Sequence, residues 1–162
     1  MDERQNVIDL INKANQSFKV ADHIAYVTYP LVKDNKLIIT VTENLAESLT
    51  KAIESLLFYE RMYKRIPLFP ENFDSRMQIF KSRIADRYNI ERQALVILQD
   101  LRTLVIERKH APMEFIRKDK YVITNHNYSK ISTITMEKLK NYINESKPFI
   151  KRVNLILKNV GR

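Results

Sequence analysis

Basic side chains gather with histidine, amide and aromatic residues in one stretch of this chain. The stretch runs Arg108-Lys109-His110, then Arg117-Lys118-Asp119-Lys120, then Asn125-His126-Asn127-Tyr128 and Lys130, with Phe115 and Tyr121 between. Cations neutralise phosphates while exposed rings stack bases, the combination that holds single-stranded nucleic acid. Arg108, Lys109, Arg117, Lys118, Lys120, Asn125, Tyr128 and Lys130 are therefore the candidate nucleic-acid contacts. The competing reading is a charged loop whose aromatic rings turn into the core. Residues 1 to 107 balance 15 Lys and Arg against 15 Asp and Glu, whereas residues 108 to 162 carry 13 against 4. The whole net charge of +9 thus sits in the last third. Such a region attracts RNA or another polyanion through counterion release. Lysines that merely solvate helix faces are the plainer explanation.

Other chemistries find little to work with. The three histidines, His23, His110 and His126, are far apart, and none has a second ligand at metal-binding spacing. His23 lies off the main apolar stripe of its segment and reads as an ordinary surface histidine. There is no cysteine, which removes disulfides, thiolate metal sites and thiol nucleophiles. No serine lies in a glycine-flanked elbow. The only glycine is Gly161, so phosphate-cradling loops and dinucleotide turns lack the residue they depend on. Paired carboxylates such as Glu43 and Glu47 read as solvated. No cofactor and no metal is expected.

The elements that carry these residues are helical. Val7, Ile11, Ala14, Phe18, Ala21 and Ala25 follow the heptad spacing of a helix packed lengthwise on another, with Pro30 and the aromatic pair Tyr26 and Tyr29 marking its end. Asp34 or Asn35 can cap a second long helix with Ile38, Leu45, Leu49, Ala52, Leu56, Tyr59 and Tyr63 inward. The β-branched run Leu37 to Thr42 has strand-like composition, but the unbroken stripe favours helix. Pro67 and Pro70 form a rigid connection. Asn72 or Asp74 then caps a third helix with Phe73, Met77, Phe80 and Ile84 inward, and Asn89 caps a fourth built on Leu95, Leu98 and Leu101. Residues 120 to 135 suit a small β-hairpin. Thr135 caps a last helix, which Pro148 should kink or split near Ser146. The expectation is one all-α domain over residues 1–162, a bundle of about five helices whose two long N-terminal members are antiparallel. No signal-peptide or membrane-spanning run is present, so a cytoplasmic protein without a membrane partner is expected.

This order of two long helices, two shorter ones and a polar Arg/His segment before the last resembles the HEPN superfamily of helical bundles. The phrases Ala21-Asp22-His23, Tyr29-Pro30-Leu31-Val32-Lys33-Asp34, Tyr59-Glu60-Arg61 and Glu114-Phe115-Ile116-Arg117-Lys118-Asp119-Lys120 are similar to those of archaeal proteins of comparable length. The resemblance implies RNA or nucleotide binding, a link to toxin–antitoxin systems, a homodimer and, in catalytic members, metal-independent ribonuclease activity. Those members place a histidine shortly after an arginine. Here seven residues separate Arg102 from His110 and eight separate Arg117 from His126, longer intervals than the family pattern. If cleavage occurs, His110 and His126 are the acid/base candidates, and Arg102 and Arg117 would hold the phosphate. The expected function is RNA or polyanion binding by the basic C-terminal third. The alternatives are a noncatalytic scaffold docking an acidic protein or a second copy, and a small-molecule enzyme.

Overall fold

The computed structural model describes residues 2–110, 113–117, 120–124 and 131–160. Helix α1, Glu3–His23, starts where Asp2 accepts a hydrogen bond from the Arg4 N–H at 3.0 Å, filling one of the open donors of a helix start. Val7, Ile11, Ala14, Ala21 and Ala25 are buried as their spacing requires, with Ser17 beside them and Phe18 only partly covered. The helical path does not stop at Pro30. A π-helical turn, Ile24–Thr28, comes next, in which the Tyr29 N–H reaches back five residues to the Ile24 carbonyl. The widened turn leads into α2, Tyr29–Val32, where Pro30 occupies a first-turn position that needs no N–H. Lys33, at φ 54°, ends the run.

Helix α3, Leu37–Met62, returns antiparallel to α1 after this short connection. Its β-branched start is helical because Ile38, Val41 and Leu45 all reach the core, while the Thr42 hydroxyl is satisfied by the Ile38 carbonyl at 2.8 Å. Asp34 holds the Lys36 N–H, and Asn35 instead accepts from the Tyr29 hydroxyl. Small residues line the crossing of α1 and α3. Ala14, Ala21, Ser48 and Ala52 are fully buried, and the Ser48 hydroxyl donates to the Ala14 carbonyl at 2.7 Å.

Helix α4, Phe73–Ile79, is capped by Asn72 through the Ser75 N–H and continues into a second π-helical turn, Phe80–Ala85. Asn89 does not cap the next helix. It adopts φ 52° and closes this one, letting the Ile90 N–H bond to the Ala85 carbonyl at 2.8 Å. Helix α5, Gln93–His110, begins later and buries Ala94, Leu95, Ile97, Leu98 and Leu101.

Three antiparallel strands come next in sheet order, β1 Met113–Arg117, β2 Lys120–Thr124 and β3 Ile131–Thr135. The β2–β3 pair is the expected hairpin, and β1 adds a third strand that the composition did not announce. Tyr121 and Ile134, register partners, enter the common core with Ile123, which explains how so small a sheet is supported. Helix α6, Met136–Ile156, is capped by Thr135 through the Lys138 N–H at 3.1 Å. It is not split at Pro148, and Ser146 is fully buried within it rather than capping a second half. Tyr142, Ile143, Phe149, Ile150 and Val153 continue the buried stripe on both sides of the proline, so packing keeps the helix together across the lost hydrogen bond.

Candidate nucleic-acid interface

Two rows of polar residues face each other where α1 and α6 run antiparallel. On α1 and the π-helical turn that follows it the row is Asn15, Lys19, Asp22 and Tyr26, spaced four, three and four residues apart. On α6 it is Lys140, Asn144, Lys147, Lys151 and Asn154, at the same helical spacing. The amides of Asn15 and Asn154 bond to each other at 2.9 Å and fix the register. Lys147 approaches Asp22 at 3.8 Å, and Asn144 donates to the Tyr26 hydroxyl at 2.9 Å. The ammonium groups of Lys140 and Lys147 lie 5.3 and 5.9 Å from the centre of the Tyr26 ring, which is 41% exposed. Along this seam four lysines face one carboxylate, Asp22. Half-buried Lys140 and Lys147 beside an exposed ring, with exposed Lys19 and Lys151 at regular intervals, offer phosphate contacts and a stacking platform together.

Of the candidate nucleic-acid contacts, Arg108 and Lys120 are described to the side chain. Arg108 is engaged within the fold, with Nη1 3.4 Å from Glu43 and Nε donating to the Tyr121 hydroxyl at 3.3 Å. Tyr121 is therefore a core ring and not a stacking surface. Lys120 is exposed at the start of β2. The side chains of Lys109, His110 and Arg117, and the whole of Lys118, Asn125, His126, Tyr128 and Lys130, lie outside the described residues. Arg102 lies apart from the seam, its guanidinium 3.5 Å above the Phe73 ring beside a cavity of about 180 Å³ also lined by Glu54 and Arg76. His23 is exposed next to Asp22.

A second polar cluster escaped the sequence reading. Glu60, on α3, is only 1% exposed. Its Oε1 accepts hydrogen bonds from the Tyr88 hydroxyl and from Arg65 Nη1, the latter at 3.4 Å, while Oε2 faces Arg87 Nη1 at 3.5 Å. Burial, and after it the bond to Glu60, pushes the Tyr88 hydroxyl up to about 12, so it stays protonated and serves as a donor. The Tyr142 hydroxyl, bonded to Asp100 at 3.0 Å, is likewise pushed to about 12, again chiefly by burial. The signal for Glu60 was present in the pattern. Leu49, Ile53 and Leu56 lead along the buried face to residue 60, where the chain places a carboxylate instead of an apolar side chain. No helix among the described residues is long and apolar enough to cross a membrane. Comparison of the chain with protein-family models, with curated proteins and with solved structures finds no match.

Proposed function

We infer that this chain is an RNA-binding helical bundle that holds a single strand along the seam of α1 and α6, without cleaving it. The observation that carries this reading is the row Lys140, Lys147 and Lys151 on one stripe of α6, joined by Lys19 of α1 and the exposed Tyr26 of the turn after it. Among the described residues, Asp22 is the one carboxylate paired with these cations along the seam. The basic side chains between residues 109 and 130 extend the same excess of charge. Kinship with HEPN-like bundles is part of the reading, supported by the sequence of two long helices, two shorter ones and a last long one.

The test is equilibrium binding of a fluorescent single-stranded RNA at several salt concentrations. Engagement of the four seam lysines should give a slope of log K against log salt of about −3. Replacing Lys19, Lys140, Lys147 and Lys151 by Gln should flatten that slope and weaken binding at least tenfold. Unchanged affinity in a folded variant would remove the reading.

A second reading has its own observation. Val27, Leu31 and Val32 are exposed at the turn end of α1 and α2, Leu31 to 82%. This favours docking of a protein partner or a second copy there. Sedimentation of the wild type and of Leu31→Asp distinguishes self-association from a monomer.

A further inference from the structure

The cluster at the C-terminal end of α3 has more positive charge than its own packing requires. One buried carboxylate, Glu60, faces two guanidinium groups, Arg65 on one oxygen and Arg87 on the other. Glu60 neutralises only one of them. Oε2 accepts no hydrogen bond among the described residues, so Arg87 is held by charge at 3.5 Å and not by a formed bond. Arg65 also lies over the Tyr63 ring at 4.8 Å, and Arg87 lies 5.9 Å from the Tyr88 ring. Each guanidinium thus has one edge toward Glu60 and an aromatic ring beside it. Both side chains remain partly open to solvent, 34% and 49% exposed, which leaves N–H groups for a ligand. Two cations that share one carboxylate leave a net positive charge at this corner of the fold.

We propose that Arg65 and Arg87, held on the two oxygens of Glu60, form a clamp for a phosphoryl group. Guanidinium forks match phosphate oxygens in geometry as well as charge, and a fixed pair loses little freedom on binding. Glu60 and Tyr88 act as positioning residues, since neither is exposed toward the ligand as a donor. Arg152 of α6, about 100° around the helix from Lys151, donates to the Tyr88 carbonyl through Nε at 3.2 Å and Nη2 at 3.0 Å, tying α6 to the turn that carries Arg87. The source of the phosphoryl group, a strand end or an internal diester, rests on the RNA-binding reading; the affinity for phosphate itself does not.

The experiment follows the arginine side-chain N–H resonances of the full wild-type chain during titration with inorganic phosphate. Arg65 and Arg87 should shift together and before the other arginines. Their double replacement by Lys keeps the charge opposite Glu60, and so the fold, but removes the forks. It should weaken phosphate binding at least tenfold, with the thermal transition unchanged. RNA oligonucleotides carrying a 5′-phosphate or a 5′-hydroxyl are bound to both proteins. A wild-type preference for the phosphorylated strand that the Lys variant loses assigns the clamp to a strand end. Equal tenfold losses for both assign it to a backbone diester. Phosphate shifts spread evenly over all arginines, or a Lys variant that binds phosphate and both oligonucleotides as the wild type does, would overturn the clamp. A chain that binds phosphate at Arg65 and Arg87 but no RNA keeps the clamp and removes the seam reading. RNA binding lost only in the seam-lysine variant, with phosphate bound by the Lys variant as by the wild type, does the reverse.

Discussion

The Tyr88 hydroxyl donates to the Glu60 carboxylate across 28 residues of sequence, tying the turn after α4 to the end of α3. Glu60 is buried, so this donor is part of what makes its charge tolerable. Tyr88→Phe keeps the ring and removes only the bond. We expect it to lower folding stability by about 1–3 kcal/mol, read by urea denaturation, with the helical content unchanged. A stability equal to the wild type's would mean that Arg65 and Arg87 alone satisfy the carboxylate.

Alkaline pH should loosen the same joint. Tyr88 and Tyr142 both have hydroxyls raised from 10.0 to about 12 in the folded chain. A folded pKa above the unfolded one favours the protonated form on folding. The resulting stability is complete below pH 10 and is lost as the pH rises towards 12. Denaturation midpoints should therefore fall over that interval, and the fall should be shallower in the Tyr88→Phe, Tyr142→Phe double variant.

The crossing of α1 and α3 tolerates only small side chains. Ser48 is fully buried and bonded to the Ala14 carbonyl at 2.7 Å. Ser48→Ala should cost about 1 kcal/mol through the lost bond. Ser48→Leu should cost about 1–3 kcal/mol or more by forcing the helices apart. The order of the two in chemical denaturation is the informative result.

Tyr26 separates stacking from charge at the seam. Tyr26→Ala removes the ring that Lys140 and Lys147 approach, while all four lysines remain. RNA affinity should fall by about 1–3 kcal/mol, and the salt slope should stay that of the wild type. A changed slope with unchanged affinity at low salt would mean that Tyr26 acts only by placing the lysines.

The long helices were legible because heptad spacing leaves its mark on many residues at once. Val7, Ile11 and Ala14 on one helix and Leu45, Leu49 and Ala52 on the other are all buried, whereas Tyr63, expected inward at the end of that stripe, is 49% exposed where α3 runs out. The π-helical turns were not legible, since a single wider turn changes one hydrogen bond and leaves composition untouched. Pro30 accordingly read as a stop when it was the start of a further turn. Asn89 misled for a related reason: asparagine suits both a helix start and the left-handed residue that ends one. The candidate site was legible only as an excess of charge. Lys140, Lys147 and Lys151 stood in plain view on one stripe, but their partners Asp22 and Tyr26 are more than a hundred residues away, and only the fold brings them together. The clamp was hidden by the opposite habit. A charged residue at a buried helix position looks like the edge of the stripe until three others are seen converging on it.

The π-helical turn Ile24–Thr28 also sets the orientation of the tip beyond it. The turn absorbs one extra residue without breaking the rod, so the residues of α2 sit roughly 100° from where an uninterrupted α-helix of the same chain would place them. Deleting one residue there should restore an ordinary helix and leave Leu31 and Val32 on the same side of the molecule, whereas α-helical geometry with every residue retained would swing them around. The wide turn is therefore a compensator: it leaves Val7 to Ala21 locked against α3 and keeps the compass direction in which the exposed tip points.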